Sequence, residues 1–220
     1  NNTFVEGARA KGADISNYTI TLYALWKAND YVVHFSTGGG STHEDITVTY
    51  GKTYGLNSEF PIPTRNGFSF TGWYTNKNFV GEQVSKLSIV GTCGETITES
   101  GEITLYASWA TKTYQIYFEA NGGSPVMTIS RVYGTTYGEL EESTRVGYQF
   151  LGWFASKDFS GSAVTADMLV PVGDHTLYAK WSAITYTITF DGNGGSGSMA
   201  PQTFTYDISG KLSKNAFILA

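Results

Sequence analysis

Apolar residues recur at every second position over short stretches of this chain. Tyr31, Val33 and Phe35 fall on one side of an extended segment, as do Tyr114, Ile116 and Phe118, and Tyr186, Ile188 and Phe190. A period of two marks a strand with one buried face. Leu22-Tyr23-Ala24-Leu25-Trp26, Leu105-Tyr106-Ala107-Ser108-Trp109 and Leu177-Tyr178-Ala179-Lys180-Trp181 form a second set. Here Leu, Ala and Trp share one face and Tyr lies on the other. The small Ala between two large residues implies a ring packed closely over it, and the Trp of a Gly-Trp pair is the candidate. Shorter runs end in Tyr: Thr47–Gly51, Ser130–Gly134 and Thr203–Asp207. Helical periodicity is scarce. A single turn is expected at Thr165–Val170, capped by Thr165 or Asp167, with Ser85–Val90 in the matching place.

The runs repeat in a fixed order. After each Leu-Tyr-Ala-x-Trp come four connecting residues, Lys27–Asp30, Ala110–Thr113 and Ser182–Thr185, and then the Tyr-x-x-x-Phe strand. Gly38-Gly39-Gly40, Asn121-Gly122-Gly123 or Asn193-Gly194-Gly195 follows, supplying a bend. Two copies also carry a longer motif, Thr64-Arg65-Asn66-Gly67-Phe68-Ser69-Phe70-Thr71-Gly72-Trp73 and Thr144-Arg145-Val146-Gly147-Tyr148-Gln149-Phe150-Leu151-Gly152-Trp153. Gly72 and Gly152 inside strand patterns mark a bulge or a close backbone approach. From Trp26 to Trp109 is 83 residues and from Trp109 to Trp181 is 72. The difference falls on Gly91–Ser100, which reads as a surface loop insertion. The period exceeds that of solenoid repeats, so each copy is a small domain, marginal by itself at about 75 residues. The expected organisation is 1–27 as the C-terminal half of a copy, 31–109 as a full copy with its insertion at 91–100, 114–181 as a full copy, and 186–220 as an N-terminal half. The five tryptophans, Trp26, Trp73, Trp109, Trp153 and Trp181, are the expected structural core.

Together these motifs resemble the Listeria–Bacteroides repeat, the B-repeat family of internalin-type surface proteins. The resemblance covers nearly the whole chain. It implies compact β-grasp-like α+β units, mainly β with very little helix, in a tandem array. It also implies an extracellular or cell-surface setting, a stalk or adhesion role, and no catalytic signature. The chain departs from the pattern at Gly38-Gly39-Gly40 and in the 91–100 insertion.

Composition narrows the reading. Charged residues are 15% and aromatics 15%, which excludes intrinsic disorder and helical bundles. A net charge of −5 leaves no electrostatic footprint for nucleic acid. No apolar run is long enough to insert in a membrane, and Asn1-Asn2-Thr3 does not open a signal peptide. Cys93 is the one cysteine, so no intrachain disulfide framework exists.

Candidate chemistry is thin. His34 lies on the outer face of its strand, His43 sits beside Glu44 and Asp45, and His175 beside Asp174, without metal-ligand spacing. Cys93 lies in the inserted loop and reads as an ordinary thiol rather than a nucleophile. Asp191–Gly197 lacks the Lys-Ser/Thr of a phosphate loop and reads as a turn. Glu139, Glu141 and Glu142 read as a solvated face. No catalytic residue, cofactor site or metal site is assigned, and an enzyme is not expected. Asn1 and Asn17 head Asn-x-Thr sequons, candidate glycosylation sites in a host that modifies exported proteins. A Lys–Asn isopeptide is a further surface-protein device, and it needs a buried carboxylate beside a buried Lys. Tyr23, Tyr106 and Tyr178, on the face opposite the core, are candidate partner contacts, by stacking on a sugar or protein or by covering a neighbouring unit.

The expected function is therefore a non-catalytic stalk or spacer of a cell-surface or secreted protein, whose partners are neighbouring repeats of the same or an identical chain. Two alternatives remain. One is an extracellular filament subunit that assembles head to tail. The other is an adhesin module that binds a host receptor or glycan through exposed Tyr. The two half-copies at the ends together lack a stretch equivalent to Gly67–Thr75, the Gly-Trp strand. This favours a window cut from a longer array over chain-to-chain completion.

Overall fold

A computed structural model describes residues 26–56 and 59–219. The chain divides into two compact units, Asn1–Ala110 and Thr111–Ala220. In the first, strands β1 (Asp30–Ser36), β2 (Ile46–Thr49), β3 (Phe68–Tyr74) and β4 (Glu102–Thr111) form a sheet in the order β2-β1-β4-β3. β1 and β2 pair antiparallel, with Val33 opposite Ile46. β1 and β4 pair in parallel, with Val33 opposite Ile103 and Phe35 opposite Leu105.

The second unit repeats this sheet with β5 (Thr113–Glu119), β6 (Ile129–Val132), β7 (Tyr148–Phe154) and β8 (His175–Ala183), ordered β6-β5-β8-β7. It also carries an antiparallel pair, β9 (Thr185–Ile188) and β10 (Gln202–Thr205). β7 and β8 pair antiparallel through a bulge between Phe150 and Gly152, which brings Trp153 opposite Ala179. The alanine thus leaves room beside the indole, as the alternating pattern of the strand requires.

One face of each sheet is buried. The first core holds Val33, Val48, Tyr54, Trp73, Val84, Val90, Ile103, Leu105 and Ala107; the second holds Ile116, Tyr137, Trp153, Val170, Leu177 and Ala179. Each residue of the second core stands at a position that also occurs in the first. Burying each such large side chain contributes roughly 1.5–3 kcal/mol before the entropy cost of ordering it.

The fold is mainly β, as expected, and no helix occurs among the described residues. The single turns expected at 85–90 and 165–170 are bends that continue as extended chain. The Thr165 hydroxyl bonds the Asp167 carboxylate, and Met168 N–H reaches Thr165 O at 3.2 Å. The next residues then pair sideways: Tyr137 N–H donates to Met168 O and Val170 N–H to Thr135 O. The segment covers the sheet as an extended strap, which satisfies its backbone without a helix. The connecting residues are also mostly strand, since only Lys112 separates β4 from β5 and only Ile184 separates β8 from β9.

Loop 91–100 is more than an exposed insertion. The Glu95 carboxylate accepts the Gly91 and Cys93 N–H groups and the Tyr54 hydroxyl, at 3.0, 2.9 and 2.8 Å. Ile97 and Cys93 pack against the core.

Candidate functional site

The repeated motifs build an aromatic lattice around each sheet. Trp73 and Trp153 are buried, and their indole N–H groups donate to Pro61 O and Glu141 O, both at 2.8 Å. Trp109 and Trp181 are half-buried at the sheet end, donating to Thr37 O and Ala120 O. Phe70 and Phe150 stand edge-on or tilted between the two indoles of their copy, with ring centres 5.3–5.6 Å apart. Trp26 differs, being 66% exposed; it sits in no core here, and the strand it was expected to end lies outside the described residues.

The glycine clusters serve these indoles. A Cβ on Gly40 would stand 2.5 Å from Cζ2 of Trp109, and one on Gly123 would stand 2.4 Å from Cζ2 of Trp181. Asn121 Nδ2 donates to Ala179 O at 2.8 Å and clips the same turn to β8. In the Thr-Arg-x-Gly motif, the guanidinium of Arg65 lies 4.0 Å over Phe68 and that of Arg145 lies 3.8 Å over Tyr148. These positions shape the turn.

Among the described residues, the titratable groups fall in small local sets. His34 Nδ1 faces Asp45 at 2.9 Å and Nε2 faces Glu102 at 3.7 Å, so the two carboxylates lie on opposite sides of the ring. His43 Nε2 is 3.4 Å from Ser41 Oγ. His175 Nδ1 donates to Gly173 O at 2.9 Å, and Nε2 lies 2.7 Å from the Tyr137 hydroxyl. Burial, then the Glu95 charge, pushes the Cys93 thiol up, away from thiolate reactivity. Asp191 accepts the Asn193 N–H at 2.8 Å and organises its own turn. Glu139, Glu141 and Glu142 are exposed. Among the described residues, no three His, Cys, Asp or Glu side chains are grouped to hold a metal.

Two surfaces remain. A groove of about 1060 Å³ runs beside Phe70, Gly72, Trp73 and Val84; its counterpart beside Phe150, Gly152, Trp153 and Val164 is about 360 Å³. The lining recurs because the Gly-Trp motif recurs, but the size does not. The outer sheet face carries Tyr106 and Tyr178, both half-buried. Lys77 Nζ stands 5.8 Å over the Tyr106 ring, and Lys180 Nζ stands 4.9 Å over Phe154. Tyr23, Asn1 and Asn17 lie outside the described residues.

Within the second unit, consecutive copies join through backbone. Ile184 N–H donates to Gly147 O at 3.0 Å, and Tyr206 N–H donates to Ile184 O at 2.9 Å. A Cβ on Gly147 would fall 2.3 Å from the Tyr206 ring, so this glycine admits the following copy. Sequence reasoning missed this joint. Its signal was the Gly of Thr-Arg-x-Gly, retained at 67 and 147 ahead of the strand.

The Listeria-Bacteroides repeat domain matches residues 31–108, 114–180 and 186–217, well over half of the chain. The chain belongs to that family. Its relatives are considerably longer. A protein of Evansella cellulosilytica named as a membrane protein is 35% identical over 196 residues, 86% of this chain and 27% of its own length. A second protein of that organism, named as a Gly-rich membrane protein, is 35% identical over 175 residues, 80% of this chain and 19% of its own. Internalin H of Listeria monocytogenes is 29% identical over 155 residues, 69% of this chain and 25% of its own. The chain thus spans about a quarter or less of these curated relatives. No helix among the described residues is long and apolar enough to cross a membrane.

Proposed function

We propose that this chain is a non-catalytic spacer segment of a cell-surface protein, holding another part of that protein at a distance. The observation that carries the reading is the joint in the second unit. One residue, Ile184, separates β8 from β9, and its N–H and C=O are both bonded, to Gly147 and Tyr206. A flexible linker would leave those groups to water; a bonded one transmits orientation and load from copy to copy. The names of the relatives support the setting.

Sedimentation of the purified chain tests this reading against the filament alternative. A monomer at millimolar concentration is expected, and a concentration-dependent ladder of species would overturn the spacer role. Single-chain pulling adds a mechanical measure. The 67 residues matched at 114–180 should release as one step of about 24 nm, less the folded end-to-end distance.

The adhesin alternative rests on Tyr106 and Tyr178. Their half-burial, with Lys77 over Tyr106, favours a covering role within their own copies. A glycan array signal lost on replacing both with Ala would favour adhesion instead.

A further inference from the structure

The turn after the second strand of each copy has a left-handed residue. In two copies it is glycine, Gly51 and Gly134, each at φ +74°; in the third it is Asp207, at φ +55°. Aspartate tolerates that region better than most side chains, yet it is the exception to glycine at this turn. Here the reason is across the joint. Asp207 Oδ2 accepts the hydroxyl of Tyr148 at 2.9 Å. The Tyr148 ring stands edge-on to Tyr206, with centres 5.7 Å apart, and Arg145 lies over it at 3.8 Å. That hydrogen bond is also the first cause raising the Tyr148 phenol above its ordinary value.

One copy earlier in the sequence, the positions matching Tyr148 and Asp207 hold Phe68 and Gly134. Hydroxyl and carboxylate therefore occur as a pair, and both are missing from the other pair of positions. A tyrosine ahead of a glycine turn gives its hydroxyl to water at little cost. A phenylalanine ahead of an aspartate turn likewise leaves the exposed carboxylate to water, so either mismatch forfeits the one hydrogen bond.

We infer that Tyr148 and Asp207 form a neighbour-selecting pair: an aspartate-turn copy docks on a copy whose Thr-Arg-x-Gly motif ends in tyrosine, and discriminates against one that ends in phenylalanine. The partner is another repeat of this class. The inference rests on reading the chain as an array of coupled repeats and names the contact that orders them.

A double-mutant cycle in the full chain tests it, read by native-state hydrogen exchange at the Ile184 and Tyr206 amides. Tyr148→Phe should raise opening at both amides about fivefold, the worth of one exposed charge-assisted hydrogen bond. In the Asp207→Gly background the same substitution should change opening by less than about twofold, because the carboxylate that accepted the hydroxyl is gone. The Tyr148 phenol should titrate closer to its ordinary value in Asp207→Gly. Equal effects of Tyr148→Phe in both backgrounds, or an effect under about twofold with Asp207 intact, overturn the inference. Neither result bears on the spacer reading, which sedimentation decides separately.

Discussion

Gly123 shows how a residue without chemistry can still be indispensable. Its backbone is not left-handed, so the usual argument for glycine does not apply. The constraint is space: an added Cβ would lie 2.4 Å from both Ser143 Oγ and Trp181 Cζ2. Ser143 is buried and donates to Ser124 O at 2.7 Å, and the Trp181 indole is held by Ala120 O, so neither neighbour can retreat cheaply. Gly123→Ala should therefore lower stability by about 1–3 kcal/mol, the cost of overpacking. Gly134 is the control, with φ +74° and nothing within 4 Å of an added methyl. Gly134→Ala meets backbone strain alone and should cost about 1 kcal/mol. Urea melts of the two variants check the order. A smaller loss at 123 than at 134 would mean that the indole gives way.

Loop 91–100 makes the case at the level of an element. Glu95 turns an insertion into a clamp by accepting two N–H groups and the Tyr54 hydroxyl. Burial, then the Glu95 hydrogen bond and charge, raises the Tyr54 phenol well above 10.0. A raised phenol means that the folded state holds its proton more tightly. The associated stability is complete below pH about 10 and is lost as pH climbs from there toward the folded value. Stability should fall with pH in that alkaline window, and Tyr54→Phe should flatten the fall while costing about 1 kcal/mol at neutral pH. Denaturant melts from pH 8 to 11 decide it. This clamp was illegible in the sequence, where a Thr/Gly/Glu-rich stretch reads only as a loop. The strands were legible because alternation depends on neighbouring residues: Val33 with Phe35, Leu177 with Ala179. The expected single-turn helix at 165–170 misread a correct local signal. Thr165 and Asp167 do form a polar turn, but the residues after it pair with Thr135 and Tyr137, and long-range backbone bonding overrode the cap. The Tyr148–Asp207 contact spans 59 residues, beyond any local pattern.

For the chain as a whole, the question is whether the copies stand or fall together. Each core cluster draws on one copy only, Val33–Ala107 in the first and Ile116–Ala179 in the second. Proteins of about 75 residues hold roughly 4–11 kcal/mol, and removing a buried Trp costs about 3–5 kcal/mol. Either Trp73→Ala or Trp153→Ala should thus take a large share of the stability of its own copy. If the cores are energetically separate, Trp153→Ala will speed amide exchange in β5–β8 and leave β1–β4 near the parent rate; Trp73→Ala will do the converse. Exchange mass spectrometry on the intact chain reads both at once. Loss of protection in all eight strands from either substitution would mean one cooperative body. In that case a load that opened one copy would also open its neighbour.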